Sequence, residues 1–135
     1  MFYKCRKVVA RMKRLPDAEL AVMQVLWQKN EEVTAAEVQG ALAEVYGWKL
    51  TSVLTFLSRL TEKGFVSLRK EGKTNRYTAR VTEAEYQKSE SVSFVQRLFA
   101  GSVKDLVASL AEAGSMSDAD VAELQAFLEE QKGGA

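Results

Sequence analysis

The 135-residue chain contains no histidine, one cysteine and one proline. Without histidine, and with Cys5 as its single thiol, it lacks the residues of the usual metal clusters and of an intramolecular disulfide. One proline and eight glycines argue against a disordered or low-complexity chain. We therefore expect no metal site, no cofactor and a location in the reducing cytoplasm.

Long apolar runs are also missing, and none approaches the roughly 20 residues that a membrane-spanning helix requires. The basic start MFYKCRKVVARMKR has too short an apolar stretch for a secretory signal. We assign residues 1–14 as a basic leader. It is either a flexible phosphate-binding arm or a segment that precedes a functional start at Met12. An enzyme is not expected, because the ionisable candidates are scattered helix-surface carboxylates.

Charge is distributed unevenly along the chain. Residues 1–81 hold 15 Lys and Arg against 8 Asp and Glu, a net charge of +7, whereas residues 82–135 hold 4 against 10, a net charge of −6. A basic first part is typical of a protein that contacts a polyanion. A chance asymmetry would look the same, so the interpretation depends on the motifs.

Helix-start signals organise the sequence. Capping boxes occur at 34–37 (TAAE), 82–85 (TEAE) and 117–120 (SDAD), and Pro16 suits the first turn of another helix. Apolar spacing predicts helices over 17–29, 35–46 and 49–63, and Gly64 is the expected C-cap of the third. In the second helix, Val38, Leu42 and Val45 should face inward.

The stretch KGFVSLRKEGKTNRYTARV, residues 63–81, predicts a two-stranded hairpin with EGKTN as its loop. Alternation places five residues on its inner face: Val66, Leu68, Tyr77, Ala79 and Val81. Tyr77 is expected in the core, with stacking on a sugar as the alternative, and Asn75 at a left-handed turn position. Five basic residues crowd the hairpin and only Glu71 opposes them: Arg69, Lys70, Lys73, Arg76 and Arg80.

Three helices followed by a basic hairpin are typical of a winged helix-turn-helix, whose third helix enters the DNA major groove. We therefore predict a mainly α protein with a small β-hairpin wing, and assign residues 15–81 to a winged-helix DNA-binding domain. Hydroxyls and cations suit base edges and phosphates. The DNA-binding candidates are Thr51, Ser52, Thr55, Arg59, Lys63, Lys70, Lys73 and Arg76.

Two alternatives stay open for the third helix. Small polar residues would equally well coat a solvated surface. Leu54, near the edge of the polar face, is either a core flank, which we favour, or an apolar contact to a thymine methyl.

Residues 82–135 read as wholly helical and amphipathic. Three short amphipathic helices bury little alone, so we expect a partner chain and a helical dimerisation region. The alternative is that these helices fold back on the DNA-binding half. The dimerisation candidates are Phe94, Val95, Leu98, Phe99, Val103, Leu106, Val107, Leu110, Val121, Leu124, Phe127 and Leu128.

Three segments carry a family resemblance: LPDAELAVMQVLW, Trp48 followed by LTSVLTFLSRLTEKGFV, and KEGKTNRYTARVTEAEY. In this order they resemble the penicillinase-repressor family of BlaI/MecI-type winged-helix regulators, over about residues 15–132. The resemblance implies a homodimeric transcriptional repressor on an inverted-repeat operator. It places the DNA-reading helix at 49–63, the wing at 66–80 and dimerisation from residue 83 on. Leu54 stands where some members carry Arg.

In resistance-regulating members a sensor protease cuts an Asn-Phe bond in the dimerisation region. The corresponding positions here are Ser109 and Leu110, which do not match that pair, and this argues against a sensor protease, although it stays open as a partner. The alternative function is a winged-helix protein–protein interaction module without specific DNA binding.

Overall fold

The computed structural model describes residues 12–134, so the leader up to residue 11, including Cys5, lies outside the described residues. Within that range the chain forms six helices and one two-stranded sheet. In order these are α1 Asp17–Lys29, α2 Ala35–Tyr46, α3 Leu50–Glu62, β1 Val66–Glu71, β2 Thr74–Ala79, α4 Glu83–Phe99, α5 Val103–Glu112 and α6 Asp118–Gly134. The described chain divides into two compact units, Met12–Gln87 and residues 88–134.

Helix α1 is the central element of the first unit. It packs against α2, α3 and β2, and apolar residues on more than one side of it are buried: Ala21, Val22, Met23, Val25 and Leu26. A helix covered on several sides is expected to be apolar over more than a single stripe. Full burial of each of the four larger side chains contributes about 1.5–3 kcal/mol, so α1 supplies much of the core energy.

Helix α2 begins at the predicted capping box. The Thr34 backbone N–H donates to a Glu37 carboxylate oxygen at 2.8 Å, and the Glu37 N–H donates to the Thr34 hydroxyl at 3.2 Å. Val38 and Leu42 are buried as predicted. Val45 is 72% exposed, so its predicted inward position is wrong. Leu42 is the last buried residue of α2, and the final turn extends past the core.

Helix α3 follows the predicted pattern closely. Val53, Leu57 and Leu60 are completely buried, and the opposite side faces solvent. Gly64 adopts φ +84°, and the Phe65 N–H donates to the Leu60 carbonyl at 3.0 Å. A positive φ just past a helix favours glycine, which is why the chain can turn sharply from α3 into the hairpin.

The hairpin forms with a tighter turn than predicted. Its strands pair antiparallel up to Glu71 and Thr74, so the loop consists of Gly72 and Lys73 alone. Gly72 has φ +64°, as the first position of such a two-residue turn requires. The predicted left-handed position of Asn75 is wrong, because Asn75 lies within β2 opposite Lys70.

The inner face of the hairpin covers the core near its base. Val66 and Tyr77 are buried, and Ala79 and Val81 pack against the core, as predicted. Leu68 lies directly opposite Tyr77 and therefore on this inner face, as predicted, but it is 41% exposed and not part of the core. It pairs with Tyr77 nearer the wing tip, where β1 has run past the core edge.

Two further contacts tie the α1–α2 link to the wing and α4 to the core. Val33, in the α1–α2 link, forms an antiparallel bridge with Tyr77 through backbone hydrogen bonds of 3.0 and 2.8 Å. Tyr86 of α4 is buried, its ring contacts Trp27 and Phe65, and its hydroxyl accepts a hydrogen bond from the Leu15 N–H at 2.9 Å. The first turn of α4 therefore belongs to the core of the first unit, past the boundary at residue 81 expected from the sequence.

The second unit is helical throughout. Its α6 begins at the third predicted capping box, where Ser117 and Asp120 exchange two 3.0 Å hydrogen bonds. Among residues 88–133 only Ser89 is buried, and the apolar side chains in this range remain at least partly exposed. No helix within residues 12–134 is long and apolar enough to cross a membrane.

Candidate nucleic-acid interface

The exposed side of α3 carries the predicted reading residues. Thr51, Thr55 and Arg59 are exposed, whereas Ser52 is half-buried at the edge of this side. An α-helix advances about 100° per residue, so positions 51, 55 and 59 follow one another along a single side of the helix. Leu54 is 39% exposed and not part of the core cluster, so the favoured core-flank interpretation is wrong.

The hydroxyls of this side differ in what they can still bind. The Thr55 hydroxyl donates to the Thr51 carbonyl at 3.0 Å, one turn back in the helix. Its oxygen can still accept a hydrogen bond. The Thr51 hydroxyl forms no hydrogen bond with any residue from 12 to 134, so it can both donate and accept.

Lys63, just past α3, is bound to a buried acid. Its Nζ lies 2.5 Å from Oε1 of Glu19 in α1, and the two side chains are 21% and 3% exposed. A buried carboxylate needs such a partner, because desolvation of an unpaired charge is costly. The pair therefore links the C-terminal end of α3 to the central helix. The predicted phosphate contact of Lys63 stays a prediction.

On the wing, Arg69 is held by a carboxylate from the α1–α2 link. Its Nε and Nη2 donate to the two carboxylate oxygens of Glu32, each at 2.8 Å. This bidentate arrangement is the strongest geometry for such a pair. The hydrogen bond from Arg69 lowers the pKa of Glu32, and the same bond raises the pKa of Arg69.

Glu71 connects two arginines of the wing, Arg69 and Arg76. It accepts a 2.7 Å hydrogen bond from Nε of Arg76 and lies 3.8 Å from Nη1 of Arg69, which faces Arg76 across the strands. The hydrogen bond from Arg76 lowers the pKa of Glu71. Two acids thus partly neutralise two of the wing arginines, including the predicted phosphate ligand Arg76.

Three of the predicted DNA-binding cations are free of carboxylates. Arg59, Lys70 and Lys73 are exposed, and none of them forms an ion pair with a residue in the 12–134 range. Lys73 stands in the two-residue turn at the wing tip, next to Gly72. Exposed, unpaired cations on a helix and an adjoining hairpin suit a row of phosphates.

The structure adds residues that the sequence analysis missed. Ser58 is exposed and lies seven positions after Thr51, which places it on the same side of α3. The helical spacing was a sufficient signal for it. Glu32 gave no comparable signal, because its partner Arg69 is 37 positions away in the chain.

The sequence profile of the family described as Penicillinase repressor matches residues 15–130. The chain belongs to the penicillinase repressor family. The penicillinase repressor of Bacillus licheniformis is 35% identical over 124 residues, which are 90% of this chain and 96% of that protein. The methicillin resistance regulatory protein MecI of Staphylococcus aureus strain N315 is 25% identical over 114 residues, 84% of this chain and 92% of that protein.

A solved structure agrees with the fold of the first unit. The solution structure of the DNA-binding domain of the repressor BlaI superposes with a TM-score of 0.50 at 34% identity, and covers 56% of this chain and 92% of that domain. These comparisons confirm the predicted family and the winged-helix fold class. They also confirm a DNA-binding transcriptional repressor, and not an enzyme, as the kind of protein.

Proposed function

We propose that the chain represses transcription as a homodimer bound to an inverted-repeat operator, with α3 in the major groove and the wing along the backbone. The proposal rests on one observation. The exposed side of α3 carries hydroxyls, and the cations Arg59, Lys70 and Lys73 on α3 and the wing are exposed and bound to no carboxylate. The similarity to repressors, and to a domain described as DNA-binding, supports the same reading. Because its target is DNA, we place the protein in the cytoplasm.

Two groups of residues have different tasks in this proposal. Thr51, Ser52, Thr55 and Arg59 lie on or beside the groove side of α3, where hydroxyls and a guanidinium can reach base edges. The predicted contacts of the remaining cations are with phosphates, which fix orientation without reading sequence. These cations are Lys63, Lys70, Lys73 and Arg76.

The second unit is the proposed dimer interface. Leu98 and Val103 are each 63% exposed, and Phe127 and Leu128 are at least half exposed. Covering such side chains on association releases roughly 25 cal/mol per Å² of apolar surface. In an isologous dimer, a two-fold axis would also relate the two reading helices. The same symmetry relates the two half-sites of an inverted repeat. Proteolytic inactivation at Ser109–Leu110 is not part of this proposal.

DNA binding is tested by fluorescence anisotropy with a labelled fragment from upstream of the protein's own gene, beside a scrambled fragment, at two salt concentrations. Tight binding to the native fragment and steep weakening at higher salt are expected. Arg59→Ala and Lys73→Ala should weaken binding. Lys73→Ala should also reduce the slope of log K against log salt by about 0.9, the share of one phosphate contact.

Lys104→Ala, an exposed lysine of α5, is the matched control and should leave binding unchanged. Unchanged operator binding by both Arg59→Ala and Lys73→Ala would show that the assigned surface is wrong. Equal, weak binding to both fragments, together with capture of an acidic protein that survives nuclease treatment, would instead support the protein–protein module.

The dimer is tested by sedimentation equilibrium of the full chain. A dimer is expected for the native protein, and Leu98→Glu combined with Phe127→Glu should shift it to monomer with a loss of operator affinity. Glu129→Gln, an exposed change in α6, should leave the dimer intact. A monomeric native protein at micromolar concentration would contradict the proposal.

A further inference from the structure

Leu54 is an apolar side chain on the side of α3 that otherwise carries polar residues. It is 39% exposed, and it lies about 60° around the helix from Thr51 and about 40° from Ser58. Thr51 and Ser58 beside it are hydroxyl-bearing and exposed. Leu54 therefore adds nothing to the core, yet it occupies the surface that the proposed function turns toward the base pairs.

The chemistry of the major groove limits what a leucine can recognise there. Leucine has no hydrogen-bonding group, so it gains nothing from phosphates or from the donors and acceptors of base edges. The C5-methyl group of thymine is the apolar group that the base pairs present in the major groove. Contact between the two removes apolar surface of both from water.

We infer that Leu54 is a specificity-determining residue that selects a thymine in each operator half-site by contacting its C5-methyl group. This inference rests on the proposed function and names one base that its reading helix prefers.

Leu50 provides a matched comparison on the same helix. It is exposed to a similar extent, 42%, and it is the first residue of α3. It lies about 100° around the helix from Thr51, farther from the centre of the polar side than Leu54. The substitution Leu50→Ala therefore makes the same chemical change outside the proposed contact.

The experiment uses operator duplexes, defined by footprinting on the native upstream fragment, in which single thymines are replaced by deoxyuridine. This change removes one methyl group and keeps base pairing. For the native protein, one position in each half-site should weaken binding by roughly fourfold, the value of one buried methyl-sized group. For Leu54→Ala, thymine and deoxyuridine duplexes should bind equally at that position, whereas Leu50→Ala should retain the native difference.

Two results would overturn the inference alone: native protein that binds every deoxyuridine duplex as tightly as the thymine duplex, or Leu54→Ala that keeps the full fourfold difference. The first result uses no variant, so it does not depend on how a variant folds. Absence of operator binding by the native protein to any thymine duplex would overturn the proposed function together with this inference.

Discussion

The ion pair between Lys63 and Glu19 allows a test of whether Lys63 anchors α3 to the core or contacts a phosphate. Removal of the ammonium by Lys63→Met leaves the Glu19 carboxylate, 3% exposed, without its cation. Breaking a buried pair costs about 3–5 kcal/mol. Because the Lys63 side chain is 21% exposed and water reaches it, we expect a smaller loss of about 2–3 kcal/mol in the free energy of unfolding.

The assay is urea unfolding of the full chain followed by tryptophan fluorescence. Both tryptophans, Trp27 and Trp48, lie in the first unit, so the signal reports the unit that contains the pair. The double variant Glu19→Met with Lys63→Met should recover most of the loss, because two apolar side chains can replace a buried pair.

A phosphate contact by Lys63 would give a different result. In that case Lys63→Met would leave stability unchanged and reduce the slope of log K against log salt by about 0.9. Lys70→Met, an exposed wing lysine, is the control for that pattern. If Lys63→Met behaves like Lys70→Met in both assays, the anchoring role is refuted.

Three further predictions concern the wing and α2. Glu71→Gln should tighten binding to operator and scrambled DNA alike by about threefold, because Arg76 loses its carboxylate partner and can reach a phosphate. Fluorescence anisotropy measures both affinities, and no change in either would contradict the prediction. Thr34→Ala should cost about 1 kcal/mol in urea unfolding through loss of the capping box, whereas Thr34→Ser should not. Hydrogen bonds from Arg69 and Arg76 lower the pKa values of Glu32 and Glu71 below the ordinary 4.5. Their ion pairs should therefore stabilise the fold above about pH 4.5 and lose this contribution as the pH falls further. Between about pH 5 and about pH 3, the melting temperature of the double variant Glu32→Gln with Glu71→Gln should therefore fall less than the melting temperature of the native protein. Equal falls in the two proteins would contradict this prediction.

The helices could be predicted from the sequence because their signals are local. All three capping boxes form, since a hydroxyl and a carboxylate three residues apart need no partner from elsewhere in the chain. The buried stripe of α3 was equally predictable, because helical spacing alone places Val53, Leu57 and Leu60 on one side.

The errors in predicted burial lie where an element runs past the core. The sequence spacing of Val45 and Leu68 predicts a core-facing side chain, and Leu54 lies at the edge of the polar side of α3. Whether these side chains are buried depends on where the neighbouring elements end. The ion pairs of the site could not be predicted from the sequence, because they also depend on how distant segments meet. Glu19 and Lys63 are 44 positions apart, and Glu32 and Arg69 are 37 apart, so only the folded chain brings them together.

The burial of Tyr86 has a consequence for how such a repressor can be switched off. The Tyr86 hydroxyl accepts a hydrogen bond from the Leu15 N–H, and the Tyr86 ring contacts Trp27 and Phe65. All these residues precede residue 88, where the second unit begins. A backbone cut in α5 or α6 would therefore leave the first unit with its core complete. If the chain binds its operator as the proposed dimer, such a cut would separate two half-site readers whose joint affinity comes from being linked.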